Sequence, residues 1–123
     1  MSEESRSFVI CGWSFDKENA IKELTKLIDI SKFGDDKSVE DIATFAIKTG
    51  WLSDGVQDLR IVESMGKVVI GRLLVYAVGN TLTYSTLSVE RLCSDVIELT
   101  KHFNIPFGIP FIFTGMADDP TGN

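Results

Sequence analysis

Outside the carboxylates, few residues in this chain could do acid–base, nucleophilic or metal chemistry. His102 is the only histidine, which excludes metal sites and catalytic arrangements that need two. It falls near the end of a helical segment, where a cationic imidazole favours the helix dipole. The cysteines are Cys11 and Cys93. Cys93 lies nine residues before His102 on that segment, and steps of about 100° put the two on opposed faces, about 13–14 Å apart along the axis. Cys11 could meet His102 only through the fold, and no nucleophile motif surrounds either residue. With no CxxC spacing, the cysteines read as small, unpaired, buried hydrophobes of a reducing compartment.

The carboxylates are more informative. Asp35, Asp36, Glu40 and Asp41 gather where a second helix should begin, and Asp54 and Asp58 extend the charge. From Asp35 to Glu63 there are seven acids and three bases. The spacing lacks the alternate oxygen ligands and closing Glu of a calcium loop, so no metal is expected. Acids at a helix start complement its dipole. The same patch could equally pair with Lys and Arg side chains of another protein, with Trp51 as an aromatic anchor. No Walker loop, GxGxxG or GxSxG occurs, and no cofactor is expected. Carboxylates working with Tyr76 or Tyr84 leave a small enzyme as a further reading.

Those residues sit in a chain of 123 with 18 acids and 12 bases, a formal net charge of −6. The imbalance is local: Met1–Gly66 carries 13 acids against 8 bases, whereas Lys67–Ala117 carries 3 against 4. Phosphate-gripping domains need a basic face, so direct nucleic-acid binding is not expected. An anionic membrane surface is disfavoured for the same reason. The N-terminal stretch is polar and acidic, and the longest uncharged run, Leu73–Val89, is rich in Thr, Ser, Gly and Asn. Neither suits a signal core or a membrane span, and cytoplasmic residence is expected. At 44% hydrophobic residues, the chain has the composition of a globular domain. Residues 1–123 read as one domain, with polar tails at 1–6 and 116–123.

The elements that must position the acids follow from periodicity. Ser7–Phe15 reads as a strand buried on both faces, with Gly12 as a possible bulge. Asp16 should cap a helix over Lys17–Asp29. After a loop at Ser31–Lys37, Ser38 should cap a second helix that turns Val39, Ile42, Ala46 and Ile47 inward. Gly50 should end it in a left-handed cap, with Trp51 packing back on Ala46. Strands follow at Leu59–Ser64, Lys67–Val78 and Thr81–Thr86, joined by turns at Met65-Gly66 and Gly79-Asn80. Across the last turn Val75 should face Tyr84, and Ala77 should face Leu82. The Thr81–Thr86 strand should be an edge with a wet Thr/Ser face. Ser88 should cap a third helix over Val89–Phe103, striped by Val89, Leu92, Cys93, Val96, Thr100 and Phe103. Its inward residues, including Ile97, should pack on Ile10, Val69, Leu73 and Val75. Ile109–Thr114 should be a terminal strand, with Phe107, Phe111 and Phe113 completing the sheet or forming an apolar docking patch.

Together these give an α+β domain of two layers: an antiparallel or mixed sheet of about five strands with three helices. The order βα(α)βββαβ resembles the ferredoxin-like order, a topology that carries no function by itself. The preferred function is an acidic cytoplasmic protein-binding module, an inhibitor, antitoxin or immunity-type partner of a basic protein. Its partner-binding residues are Asp35, Asp36, Glu40, Asp41, Trp51, Asp54 and Asp58. The alternative is a small dimeric regulatory domain that binds a metabolite, with the apolar C-terminal strand pairing two copies.

Overall fold

The computed structural model describes residues 6–28, 30–33, 36–53, 58–84, 88–102 and 107–118. Among them the chain is α+β, with three α-helices and six strands, all paired antiparallel. The order is β1 (Arg6–Asp16), α1 (Lys17–Thr25), a 3-10 turn (Ile30–Lys32), α2 (Val39–Thr49) and β2 (Trp51–Ser53). Then come β3 (Asp58–Ser64), β4 (Lys67–Val78), β5 (Thr81–Tyr84), α3 (Val89–His102) and β6 (Phe111–Met116). The strands lie in the order β2-β3-β4-β1-β6, with β5 also on β4. Because β1 pairs with all of β4, β3 and β5 share the other edge of β4, one beside each half.

The sheet therefore has six strands, not five, and none is parallel. The added strand is β2, three residues that pair with Asp58–Arg60. The Val75–Tyr84 and Ala77–Leu82 pairs form as expected. Helix α1 stops at Thr25, short of Asp29, because the last turn tightens. The amides of Lys26 and Leu27 bond to carbonyls three residues back, and the Thr25 hydroxyl donates to the Lys22 carbonyl. Strand β5 is exposed along its whole length, not on one face alone.

All three helices cover one face of the sheet. Ala20, Leu24, Ile42, Ala43, Ala46, Leu92 and Val96 are buried there with Cys11, Trp13, Leu59, Ile61, Val68, Ile70 and Leu74. The α3 stripe is narrower than its sequence suggests: Leu92 and Val96 are buried, while Val89 and Ile97 are exposed. Val75 packs at the margin of this core. Ile10, Val69 and Leu73, expected beneath α3, belong instead to a second core on the opposite face with Phe8, Val62, Tyr76, Phe113 and Ala117.

Among the described residues, no helix contributes to that second core. The sheet closes over it. Gly12 and Gly71 are cross-strand partners, and their backbones approach so closely that a Cβ on either would lie 2.7 Å from the opposite Cα. Gly12 thus marks a close approach of two strands. The β-bulge lies nearby, where Val9 pairs with Val75 and Ile10 with Leu73, leaving Leu74 unmatched; bulges of this kind sharpen the twist. With the sheet bent there, the end of β6 reaches across to β3. The Asp118 amide donates to the Glu63 carbonyl (2.7 Å), the Ala117 amide donates to the Arg6 carbonyl (2.6 Å), and the Ser64 hydroxyl donates to the Met116 carbonyl. Met116, read from sequence as the start of a polar tail, is part of this strand, as is Gly115, one residue past the expected strand end.

Candidate functional site

Helix α2 places the acidic cluster. Ser38 caps it, its hydroxyl accepting from the Asp41 amide at 3.1 Å. Glu40 and Asp41 then fall in the first turn, where exposed carboxylates meet the positive end of the dipole. Asp36 lies just before the cap, also exposed. Lys17 pairs with Glu63, Lys67 with Asp16 and Arg91 with Asp95. By contrast, no ion pair holds Asp36, Glu40 or Asp41 among the described residues. Asp35 and Asp54 lie outside the described residues. Asp58 opens β3 opposite Ser53.

The other end of α2 places the aromatic. Gly50 takes φ +78°, and its amide closes onto the Ala46 carbonyl at 2.8 Å. The chain leaves the helix at once as β2, tied by the Ile61 amide to the Gly50 carbonyl at 3.0 Å. Alternation along β2 sends Leu52 into the helix-side core. Trp51 instead stays 44% exposed, with the Arg60 guanidinium 5.0 Å from its ring centroid. Leu52, not Trp51, is the residue this cap buries. Arg60 also lies 5.6 Å from the Tyr76 ring, so one guanidinium packs against two aromatics.

Between these two ends runs an open groove of about 650 Å³. Its lining holds buried Ile42, Ala46 and Leu52 and the aromatics Phe33, Phe45 and Trp51. Lys37, Asp41 and Thr49 supply its polar groups. Phe45 is 65% exposed, unusual for a phenylalanine on a helix with a well-packed inner face. The structure thus brings Asp41 and Trp51 into one site, with Asp36 and Glu40 beside it on the same helix end. Phe33 and Phe45 were missed in the sequence. The available signal was spacing: Asp41, Phe45 and Thr49 recur every four residues, off the face set by Ile42 and Ala46.

Nucleophilic and acid–base alternatives fare differently. Cys11 and Cys93 are free thiols, as expected, but the fold brings them together. Burial pushes the Cys11 thiol up from an ordinary 9.0 to about 12, helped by its hydrogen bond to Cys93 and by the charge that group can carry. A thiol so held is almost entirely protonated at neutral pH and makes a poor nucleophile. Native Cys11 should therefore react with iodoacetamide only as fast as the protein unfolds, and fast labelling would contradict this placement. The raised value also favours the fold below pH 9. That contribution fades as pH climbs from 9 towards 12, because the unfolded thiol ionises first. Tyr76 and Tyr84 fall on opposite faces of the sheet: Tyr76 packs in the second core, and Tyr84 pairs with Val75. Among the described residues, no three His, Cys, Asp or Glu side chains converge as a metal site would require, and no helix is long and apolar enough to cross a membrane. Compared with known protein families, curated proteins and solved structures, the chain matches none.

Proposed function

We propose that this chain is a cytoplasmic protein-binding module that captures a basic protein, in the manner of an inhibitor, antitoxin or immunity partner. The groove takes an apolar side chain of the partner between Phe45 and Trp51. Asp36, Glu40 and Asp41, with Asp35, Asp54 and Asp58 near them in sequence, steer and pair with its Lys and Arg residues. The observation that carries this reading is the combination at α2: exposed carboxylates that no ion pair holds among the described residues, next to an open groove whose lining includes exposed Phe45 and Trp51. Aromatic anchors inside a charged rim are the usual anatomy of a protein–protein hot spot. A metabolite site would need several polar groups converging in an enclosed pocket, and this open groove offers mainly Lys37, Asp41 and Thr49.

Free thiols at Cys11 and Cys93 support residence in a reducing compartment. The chain order β1-α1-β3-β4-α3-β6 and the spatial order β3-β4-β1-β6 support a ferredoxin-like ground plan to which β2, α2 and β5 are added. On that plan the binding surface belongs to the additions.

The test is capture from a lysate of the source cells by the immobilised chain, with bound proteins identified by mass. Wild type should retain a basic protein at low salt and release it at high salt. Phe45→Asp, and the charge reversal of Asp35, Asp36, Glu40 and Asp41 to Lys, should each fail to retain it. Retention that ignores both variants would remove the groove and the acids from the function.

A further inference from the structure

We infer that Cys11 and Cys93 form a peroxide-sensitive dithiol, a modification site at which hydrogen peroxide oxidises Cys93 and Cys11 then closes a disulfide. The site is separate from the α2 groove and does not depend on what that groove binds. It is made by the fold alone. Cys11 lies mid-strand in β1, and Cys93 lies in the second turn of α3. Helix α3 packs on β1 and β4, with Leu92 and Val96 buried in the helix-side core that also holds Cys11. Cys93 packs against that same core, and its sulfur is hydrogen-bonded to the Cys11 thiol.

The two thiols differ in exposure, and the difference sets the order of events. Cys11 is 1% exposed, whereas Cys93 is only partly buried, so a dissolved oxidant meets Cys93 first. The Cys93 sulfur, as thiolate, attacks one peroxide oxygen. An S–O bond forms, the O–O bond breaks, and the released hydroxide takes up the proton that Cys93 gave up. Cys11 then attacks the sulfur of this sulfenic acid. The S–S bond forms, the S–O bond breaks, and the departing hydroxide takes the Cys11 proton. Two thiols are oxidised to one disulfide, and the peroxide is reduced to two waters. Cys11 is a poor nucleophile towards outside reagents, but here it needs to reach only the sulfur it already touches.

Arg72 points to the same place. It pairs with Cys11 across the β1–β4 ladder, and such partners leave the sheet on the same face. The arginine is half-buried, and its buried Nε–H has no hydrogen-bond partner among the described residues. A buried donor left unpaired is costly. The oxygen that peroxide leaves on the Cys93 sulfur is an acceptor of the kind this donor lacks, so Arg72 holds the sulfenic intermediate while Cys11 resolves it. Once formed, the disulfide ties α3 to a central strand. It closes a long loop that includes β3, β4 and β5, and long loops restrict the unfolded chain most.

The experiment treats the full, folded chain with hydrogen peroxide and follows the cysteine peptides by mass, together with the melting temperature. Wild type should lose two hydrogens, with the Cys11 and Cys93 peptides joined. Its melting temperature should rise by about 5 °C or more, and dithiothreitol should reverse both changes. Cys11→Ala should stop at a Cys93 sulfenic acid that dimedone traps, and Cys93→Ser should leave Cys11 a thiol. Arg72→Met should slow disulfide formation about tenfold or more in the folded chain but not in urea, where no fold holds the three residues together. Wild type that stays fully reduced would overturn the inference. So would wild type whose Cys93 goes on to sulfinic acid without joining Cys11. An Arg72→Met chain that closes the disulfide at the wild-type rate would overturn the part given to Arg72.

Discussion

Alanine at Gly12 or at Gly71 should cost the chain most or all of its stability. Each residue sits at the crossing of β1 and β4, the two central strands, and a methyl group on either would lie 2.7 Å from the opposite Cα and closer still to a carbonyl, Ile70 or Cys11. Backbone cannot yield as a flexible side chain can. The strands must part, and with them the ladder that carries β3, β5 and β6 at its flanks. Parting also flattens the bend that lets Asp118 reach Glu63, so water enters the core of Phe8, Ile10, Val62 and Val69. The loss should be about 4 kcal/mol or more, at the extreme of single substitutions and comparable with the whole stability of a small domain. Gly115→Ala is the control. Its methyl would meet the Phe8 ring at 3.5 Å, an ordinary contact, and should cost less than about 1 kcal/mol. Urea unfolding of the three variants followed by circular dichroism decides it. A Gly12→Ala midpoint close to wild type would mean that the sheet is not bent there.

The second large effect concerns binding. Phe45→Ala should weaken capture of the basic partner by about 2 kcal/mol or more, roughly 30-fold, the loss typical of a central aromatic anchor. Trp51→Ala should do the same and also strand the Arg60 guanidinium that now packs on its ring. Neither change should unfold the domain, because Phe45 is 65% and Trp51 44% exposed and neither belongs to the buried core. A variant that melts with wild type yet releases the partner quickly would assign both residues to the interface. A variant that binds normally would make them ordinary exposed aromatics.

How far the sequence foretold this surface depended on the range of the interactions. Both ends of α2 were legible, because capping is local: Ser38 needs only Asp41, and Gly50 only Ala46. The β4–β5 register was legible for the same reason, fixed by a two-residue turn. Strand β2 was not. Trp-Leu-Ser after a helix cap looks like a connection until β3 returns beside it. The second core was hidden because Ser7–Phe15 is apolar on both faces, and nothing local says that a sheet will curl to cover its far side. Gly12 carried the signal, but its meaning depends on Gly71, 59 residues away. The contact of Cys11 with Cys93 was hidden by distance in the same way. The acidic cluster was plain in composition, whereas the absence of ion pairs at Asp36, Glu40 and Asp41 among the described residues, and the place of Asp41 in one groove with Phe45 and Trp51, are tertiary facts.

The most direct test measures association and dissociation rates of the captured basic partner at low and high ionic strength. Wild type would be compared with the charge reversal of Asp35, Asp36, Glu40 and Asp41 to Lys, and with Phe45→Ala. Raising salt from 0.1 M to 1 M shortens the screening length from about 10 Å to about 3 Å, so steering by exposed carboxylates should vanish while apolar anchoring persists. Charge reversal should slow association by about tenfold or more at low salt and little at high salt. Phe45→Ala should leave association nearly unchanged and speed dissociation at both ionic strengths. If charge reversal leaves the low-salt association rate unchanged, the acids are only a solvated helix end, and the proposed capture of a basic protein at α2 is wrong.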